Sequence, residues 1–157
     1  MKRDYETIQK IMERELIPAL GCTEPMAFGL VSSAARHFAG GEVIKSIHVE
    51  GSPSLIKGVA YVKIPHSHGL RGGKYAASMG AVGGDYTLDM EVFASVTDEH
   101  VKEAVALADS GAVTVEKVEA DRKMYLKSTV VTDMGSATAL IQDSHNNICY
   151  IERNGEV

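Results

Sequence analysis

The stretch from Glu24 to Phe38 constrains the fold more than any other. It places Ala27, Leu30, Val31, Ala34, Ala35 and Phe38 on one helical face, built of small residues and suited to close packing. Gly40-Gly41 ends it. Thr23 is the expected N-cap, and Pro25 is tolerated in the first turn because its missing N–H has no partner there. The helix is preceded by Gly21-Cys22-Thr23-Glu24-Pro25, which sets a thiol at the helix start and follows it with a hydroxyl and a carboxylate. A cysteine at a helix N-terminus feels the positive end of the helix dipole, which favours its thiolate. The thiolate is the form that ligates metals and attacks electrophiles. The segment is therefore expected to carry a chemical site.

Around this helix the chain reads as one α+β domain. Tyr5 to Leu16 is an amphipathic helix through Ile8, Ile11, Met12 and Leu16, with Asp4 as its cap and Pro18 limiting it. Val43 to Glu50 is a strand, Gly51-Ser52-Pro53-Ser54 a turn, and Val59 to Ile64 a second strand. Arg71 to Ala81 reads as a helix, and Asp98 to Ala108 as another, capped by Thr97 or Asp98. Strands follow near 112–119, 123–132, 136–143 and 147–153, separated by turn signals. The expected order is α-α-β-β-α-α and then an antiparallel meander, a mostly antiparallel sheet with helices packed on it.

Composition excludes several functions. The 157 residues fit one domain with its own core, and a formal net charge of -5 gives nucleic-acid binding no electrostatic support. No apolar run reaches the roughly 18 residues of a membrane span. The charged start Met1-Lys2-Arg3-Asp4 lacks the apolar run of a signal peptide, so a cytoplasmic location and a native N-terminus are expected. The 2 cysteines, Cys22 and Cys149, cannot complete a cysteine-only metal site. Nor is a disulfide between them expected in a reducing compartment.

The candidate residues each have an ordinary role to set beside the chemical one. Cys22 is a candidate metal ligand or nucleophile, or a small buried residue at a loop–helix junction. Thr23 has an ordinary role as a cap, and Glu24 as a carboxylate complementing the helix dipole. Ser52, Ser54 and Lys57 are substrate-binding candidates: the hydroxyls can donate to a carboxylate or shape the turn around Pro53, and Lys57, like Arg71 and Lys74, flanks glycine and can hold a carboxylate or stand as surface charge. His66 and His68 read as a solvated loop pair, Cys149 as a packed strand residue, and His37, His48, His100 and His145 as isolated.

The octapeptide Pro18-Ala19-Leu20-Gly21-Cys22-Thr23-Glu24-Pro25, followed by its small-residue helix, resembles the L-cysteine desulfidase family, the serine dehydratase alpha-chain-like group of iron–sulfur lyases. The likeness continues through Ser52-Pro53-Ser54-Leu55-Ile56-Lys57-Gly58, Gly80-Ala81-Val82-Gly83-Gly84 and Ile151-Glu152-Arg153-Asn154-Gly155. The layout is also similar to the smaller, beta-type domain of bacterial L-serine dehydratases. The resemblance implies a [4Fe–4S] cluster whose unligated iron binds a small amino acid and acts as a Lewis acid on its leaving group. It implies α,β-elimination, giving pyruvate and ammonia, plus sulfide from cysteine. By this resemblance Cys22 is a cluster ligand, and Thr23 and Glu24 are the catalytic candidates lining the substrate site.

Family enzymes are longer, with a helical half carrying the other cluster cysteines. Residues 1–157 are thus expected to be a single N-terminal domain of a longer or two-subunit lyase, inert alone, its cluster completed by a helical domain or subunit. Self-association into a homo-oligomer is a further option. A large apolar face, from the second helix and part of the sheet, should meet the missing half. Two other readings are a stand-alone small-ligand-binding or regulatory module and a structural oligomerisation domain.

Overall fold

A computed structural model describes residues 2–15 and 21–157, with the side chains of 5–13 and 21–157. The elements run α1 (Lys2–Glu15), α2 (Thr23–Ala39), β1 (Ile44–Gly51), α3 (Pro53–Ala60), α4 (Gly73–Gly83), a 3-10 segment (Tyr86–Glu91), α5 (Asp98–Asp109), β2 (Val113–Lys117), β3 (Tyr125–Thr132), β4 (Ser136–Gln142) and β5 (Ile148–Arg153). The expected α+β class holds: a five-stranded, mostly antiparallel sheet with helices packed on it.

The strand order is β2-β1-β3-β4-β5. β3, β4 and β5 form the expected meander. β2 does not join it. It pairs parallel with β1, Ile47 opposite Val113, at the far edge of the sheet. The long helical excursion between β1 and β2 allows this, since a parallel neighbour needs a crossover where a hairpin does not.

The sheet is covered on one face. In β3, Leu126, Ser128, Val130 and Thr132 are buried while Lys127, Thr129 and Val131 are half-buried, the period-two pattern of a sheet packed on one side. On the open face the strands are tied by polar pairs: Thr129 with Thr138 at 2.9 Å, His48 Nδ1 with Thr114 Oγ1 at 2.7 Å, and the Lys127–Glu50 ion pair.

α2 lies over β3 and β4, with α4 beside it and α5 beyond α4. It is the core helix, with Met26, Ala27, Phe28, Val31, Ala34 and Ala35 all fully buried. Burying Phe28, Met26, Leu30 and Val31 each contributes about 1.5–3 kcal/mol. The surface expected to meet a missing half is therefore not on α2, whose apolar face is spent inside this fold.

Residues 53–60 are helical, which corrects the expected turn and the strand from Val59. Ser52 is the N-cap and Pro53 opens the helix, so proline starts an element here and breaks none. Leu55 and Val59, four apart, point to the core. Lys63 then makes only an isolated bridge to Arg71. α1 begins at Lys2, so Asp4 lies inside it, not at its cap. Leu16, Pro18, Ala19 and Leu20 lie outside the described residues.

Candidate functional site

The turn into α2 is held from the side by the loop after α3. A Cβ on Gly21 would stand 3.4 Å from Pro65 Cγ. Cys22, not Thr23, is the N-cap. Its backbone is extended (φ -65°, ψ 138°) and its side chain makes no capping bond; Thr23 is already helical. Pro25 then falls within the first four residues, whose N–H groups have no intrahelical partner in any helix.

Freed from capping, the Cys22 thiol donates to Glu24 Oε2 at 2.7 Å. Cys22 is exposed and Glu24 half-buried. The carboxylate lies over α3 where Gly58 has no side chain: a Cβ there would meet Glu24 Cγ at 3.2 Å and Oε1 at 3.5 Å. Glu24 belongs to the first turn of α2, where a negative charge meets the positive end of the helix dipole.

This pairing reverses the expected activation of the thiol. The hydrogen bond to Glu24, helped by burial, pushes the Cys22 thiol above its ordinary pKa. The same bond holds Glu24 below the usual carboxylate range, with smaller help from His145 and from the Thr23 hydroxyl. At neutral pH the pair is thus a protonated thiol beside an ionised carboxylate. Helix-dipole reasoning failed because a carboxylate two residues on is nearer to the sulfur than the dipole's partial charge.

His145 is the residue that sequence reasoning missed. It sits in the β4–β5 turn, where burial lowers its pKa while the charge of Glu24 raises it. Its neighbour Asn146 donates to Asp89 Oδ2 at 3.1 Å. Asp89 kinks the 3-10 segment at φ 54°, and its Oδ1 is buried without a hydrogen-bond partner in the described structure. Turn composition marked 144–147 as a turn, but only the fold of β4 back onto β3 carries it to the start of α2.

The remaining candidates do not converge on this corner. Ser52 Oγ and Ser54 Oγ both donate to the Lys123 carbonyl, at 2.8 and 3.2 Å, tying α3 to the entry of β3. Lys57 is exposed on α3 beside Gly58, with no ion pair among the described residues. Arg71 donates to the Tyr61 carbonyl at 2.8 Å. His66 and His68 both have positive φ, and His68 Nε2 meets Asp98 Oδ1 at 2.7 Å. Cys149 is exposed at a bulge in β5, 3.6 Å from the Leu140 carbonyl, and not packed as expected.

Among the described residues no three His, Cys, Asp or Glu side chains are grouped to hold a metal ion. A [4Fe–4S] cluster takes several thiolates, and this corner offers one. The residues present do not fit a cluster by themselves. Among the described residues, no helix is long and apolar enough to cross a membrane.

No family model matches the chain. It is similar to a UPF0597 protein of Desulforapulum autotrophicum, 37% identical over 151 residues, covering 96% of this chain and 34% of that protein. A UPF0597 protein of Vibrio parahaemolyticus is 34% identical over 157 residues, covering 100% of this chain and 37% of the relative. One from Finegoldia magna is 32% identical over 149 residues, 94% of this chain and 36% of that protein. The chain spans about a third of the length of the curated relatives it matches. Their name states no activity. It is not that of the L-cysteine desulfidase, serine dehydratase alpha-chain-like group, and the family reading drawn from the octapeptide is corrected accordingly.

Proposed function

We propose that this chain forms one wall of an iron–sulfur-dependent amino-acid lyase of the α,β-elimination type, inactive alone, whose remaining parts lie in further polypeptide. The observation that carries the reading is the Cys22–Glu24 pair, 2.7 Å apart on the rim of α2. Eliminating a β-substituent needs a base for the α-proton and an acid for the departing thiol or hydroxyl. The Glu24 carboxylate can accept a proton and the Cys22 thiol can donate one. With Cys22 exposed and Glu24 half-buried, the pair is open to a substrate and to a facing surface. The substrate class is a small amino acid. We place the protein in the cytoplasm, where two exposed, unpaired thiols stay reduced.

Cys22 is the one thiol this corner can lend to a [4Fe–4S] cluster, the other ligands coming from outside the chain. A second role has its own support: the hydrogen bond to Glu24 suits Cys22 as a proton donor that ligates nothing. One experiment separates them. This chain is reconstituted with iron and sulfide, alone and with the remaining polypeptide, and compared with Cys22→Ala. The expected result is no stable cluster in the chain alone and loss of cluster iron in the variant complex. A variant that keeps its cluster but loses pyruvate formation assigns Cys22 to proton transfer. Full cluster content and full activity together overturn the reading.

A further inference from the structure

Of the nine large apolar side chains exposed among the described residues, four lie on α1. Tyr5 is 77% exposed, Ile8 53%, Ile11 52% and Met12 51%. Tyr5, Ile8 and Met12 recur at three and four residues, one stripe of a helix, and Ile11 widens it. Gln9 and Glu13, hydrogen-bonded to each other at 3.0 Å, flank the stripe. A helix of 14 residues is marginal in water unless an apolar face is buried. This face is not buried by the sheet or by α2 to α5.

We propose that the Tyr5–Ile8–Ile11–Met12 face of α1 is the docking surface for the two thirds of the polypeptide by which the longer relatives exceed this chain. The relatives supply the argument for that occupant. The Vibrio parahaemolyticus protein aligns with all 157 residues, α1 included, yet only 37% of it is used in doing so. The stretch matching α1 therefore exists within a polypeptide nearly three times as long. The chain path supplies a second argument. Only six residue steps separate Glu15 from Gly21, at most about 22 Å of extended chain. A partner seated on α1 is thereby tethered within roughly 40 Å of Cys22, where the proposed lyase site lacks its remaining groups. The docking proposal deepens that functional reading but does not need it.

Hydrogen–deuterium exchange tests it without an activity assay. Amides of residues 5–13 are followed in this chain, and those of the aligned segment in the full-length Vibrio parahaemolyticus protein, with light scattering on both. The expected result is fast exchange in this chain as a monomer and roughly tenfold or slower exchange in the full-length relative. Charged residues at the positions aligned with Ile8 and Met12 should abolish the difference. Equal exchange in the two proteins overturns the proposal. So does protection that appears in this chain only with dimer formation, which assigns the face to a second copy. Protection gained only with anionic lipid vesicles assigns it to a membrane surface and also overturns it. Cluster content measured on the same full-length protein reports on the lyase reading separately.

Discussion

Glu24 sets the protonation of Cys22, and that dependence has a sign. The carboxylate raises the thiol pKa, so fewer molecules carry a thiolate at mildly alkaline pH than for a free cysteine. Glu24→Gln removes the charge and lets the thiol fall back toward its ordinary value. In a Cys149→Ser background, iodoacetamide alkylation of Cys22 at pH 8 should speed up severalfold in the Glu24→Gln variant; equal rates would mean the two groups do not interact. The carboxylate itself is held low by the thiol, so its stabilising contribution is present above its unfolded pKa and lost as pH falls through the folded one. An acid limb of the unfolding curve should flatten in the same variant. At this scale the sequence shows which residues adjoin but not which atoms meet. That Cys22 and Glu24 adjoin is legible because they share one turn, but the thiol–carboxylate bond that reverses the expected activation is not. The approach of His145 to Glu24 is not legible either, because it depends on a hairpin closing more than a hundred residues later. Ser52 and Ser54 face the Lys123 carbonyl for the same reason: no local pattern says that β3 begins beside α3.

Local signals settled elements where period and punctuation agreed, as in α2, α5 and the three strands of the meander. They failed at 53–60. There Pro53 after Ser52 reads equally as a turn or as a helix start, and eight residues are too few for the period to decide. Thr97 shows punctuation at its strongest: its hydroxyl accepts from the His100 N–H while the His100 ring receives the Thr97 N–H, a reciprocal cap that gives an apparently isolated histidine a role. The crossing of α2 and α4 rests on a contact no pattern reveals. A Cβ on Gly80 would fall on the carbonyl and Cα of Gly29, backbone against backbone. Side chains can rotate away from a clash; backbone cannot. Gly80→Ala should therefore cost about 3 kcal/mol. In a chain of this length that lowers the thermal midpoint by roughly 10 °C, read by circular dichroism. An unchanged midpoint would show that the two helices can part without cost.

Over the whole molecule, the helical layer and the sheet are joined through apolar packing and a few buried hydroxyls. Ser33 Oγ donates to the Gly84 carbonyl at 2.9 Å, and Ser78 Oγ to the Ala104 carbonyl at 2.7 Å, linking α2 to the end of α4 and α4 to α5. Between the layers themselves, Ser32 Oγ of α2 meets Ser128 Oγ of β3 at 2.9 Å, both residues fully buried. This pair ties α2 to β3 at one point along the strand, and α2 carries Cys22 and Glu24 at its start. Hydroxyls so buried are costly when left single and nearly neutral when both are absent. Ser32→Ala or Ser128→Ala alone should destabilise by about 1–3 kcal/mol, since each strands the other's oxygen in the core. The double variant should recover much of that loss, with a coupling of about 1–2 kcal/mol in a urea-unfolding cycle. Additive losses would mean the hydroxyls act independently and packing alone sets the register of helix on sheet. The distinction bears on the site, because a helix free to slide on β3 would carry Glu24 away from both Gly58 and His145. The double variant should then keep near-normal stability but alkylate Cys22 at a changed rate if the pair defines register, and at the same rate if it does not.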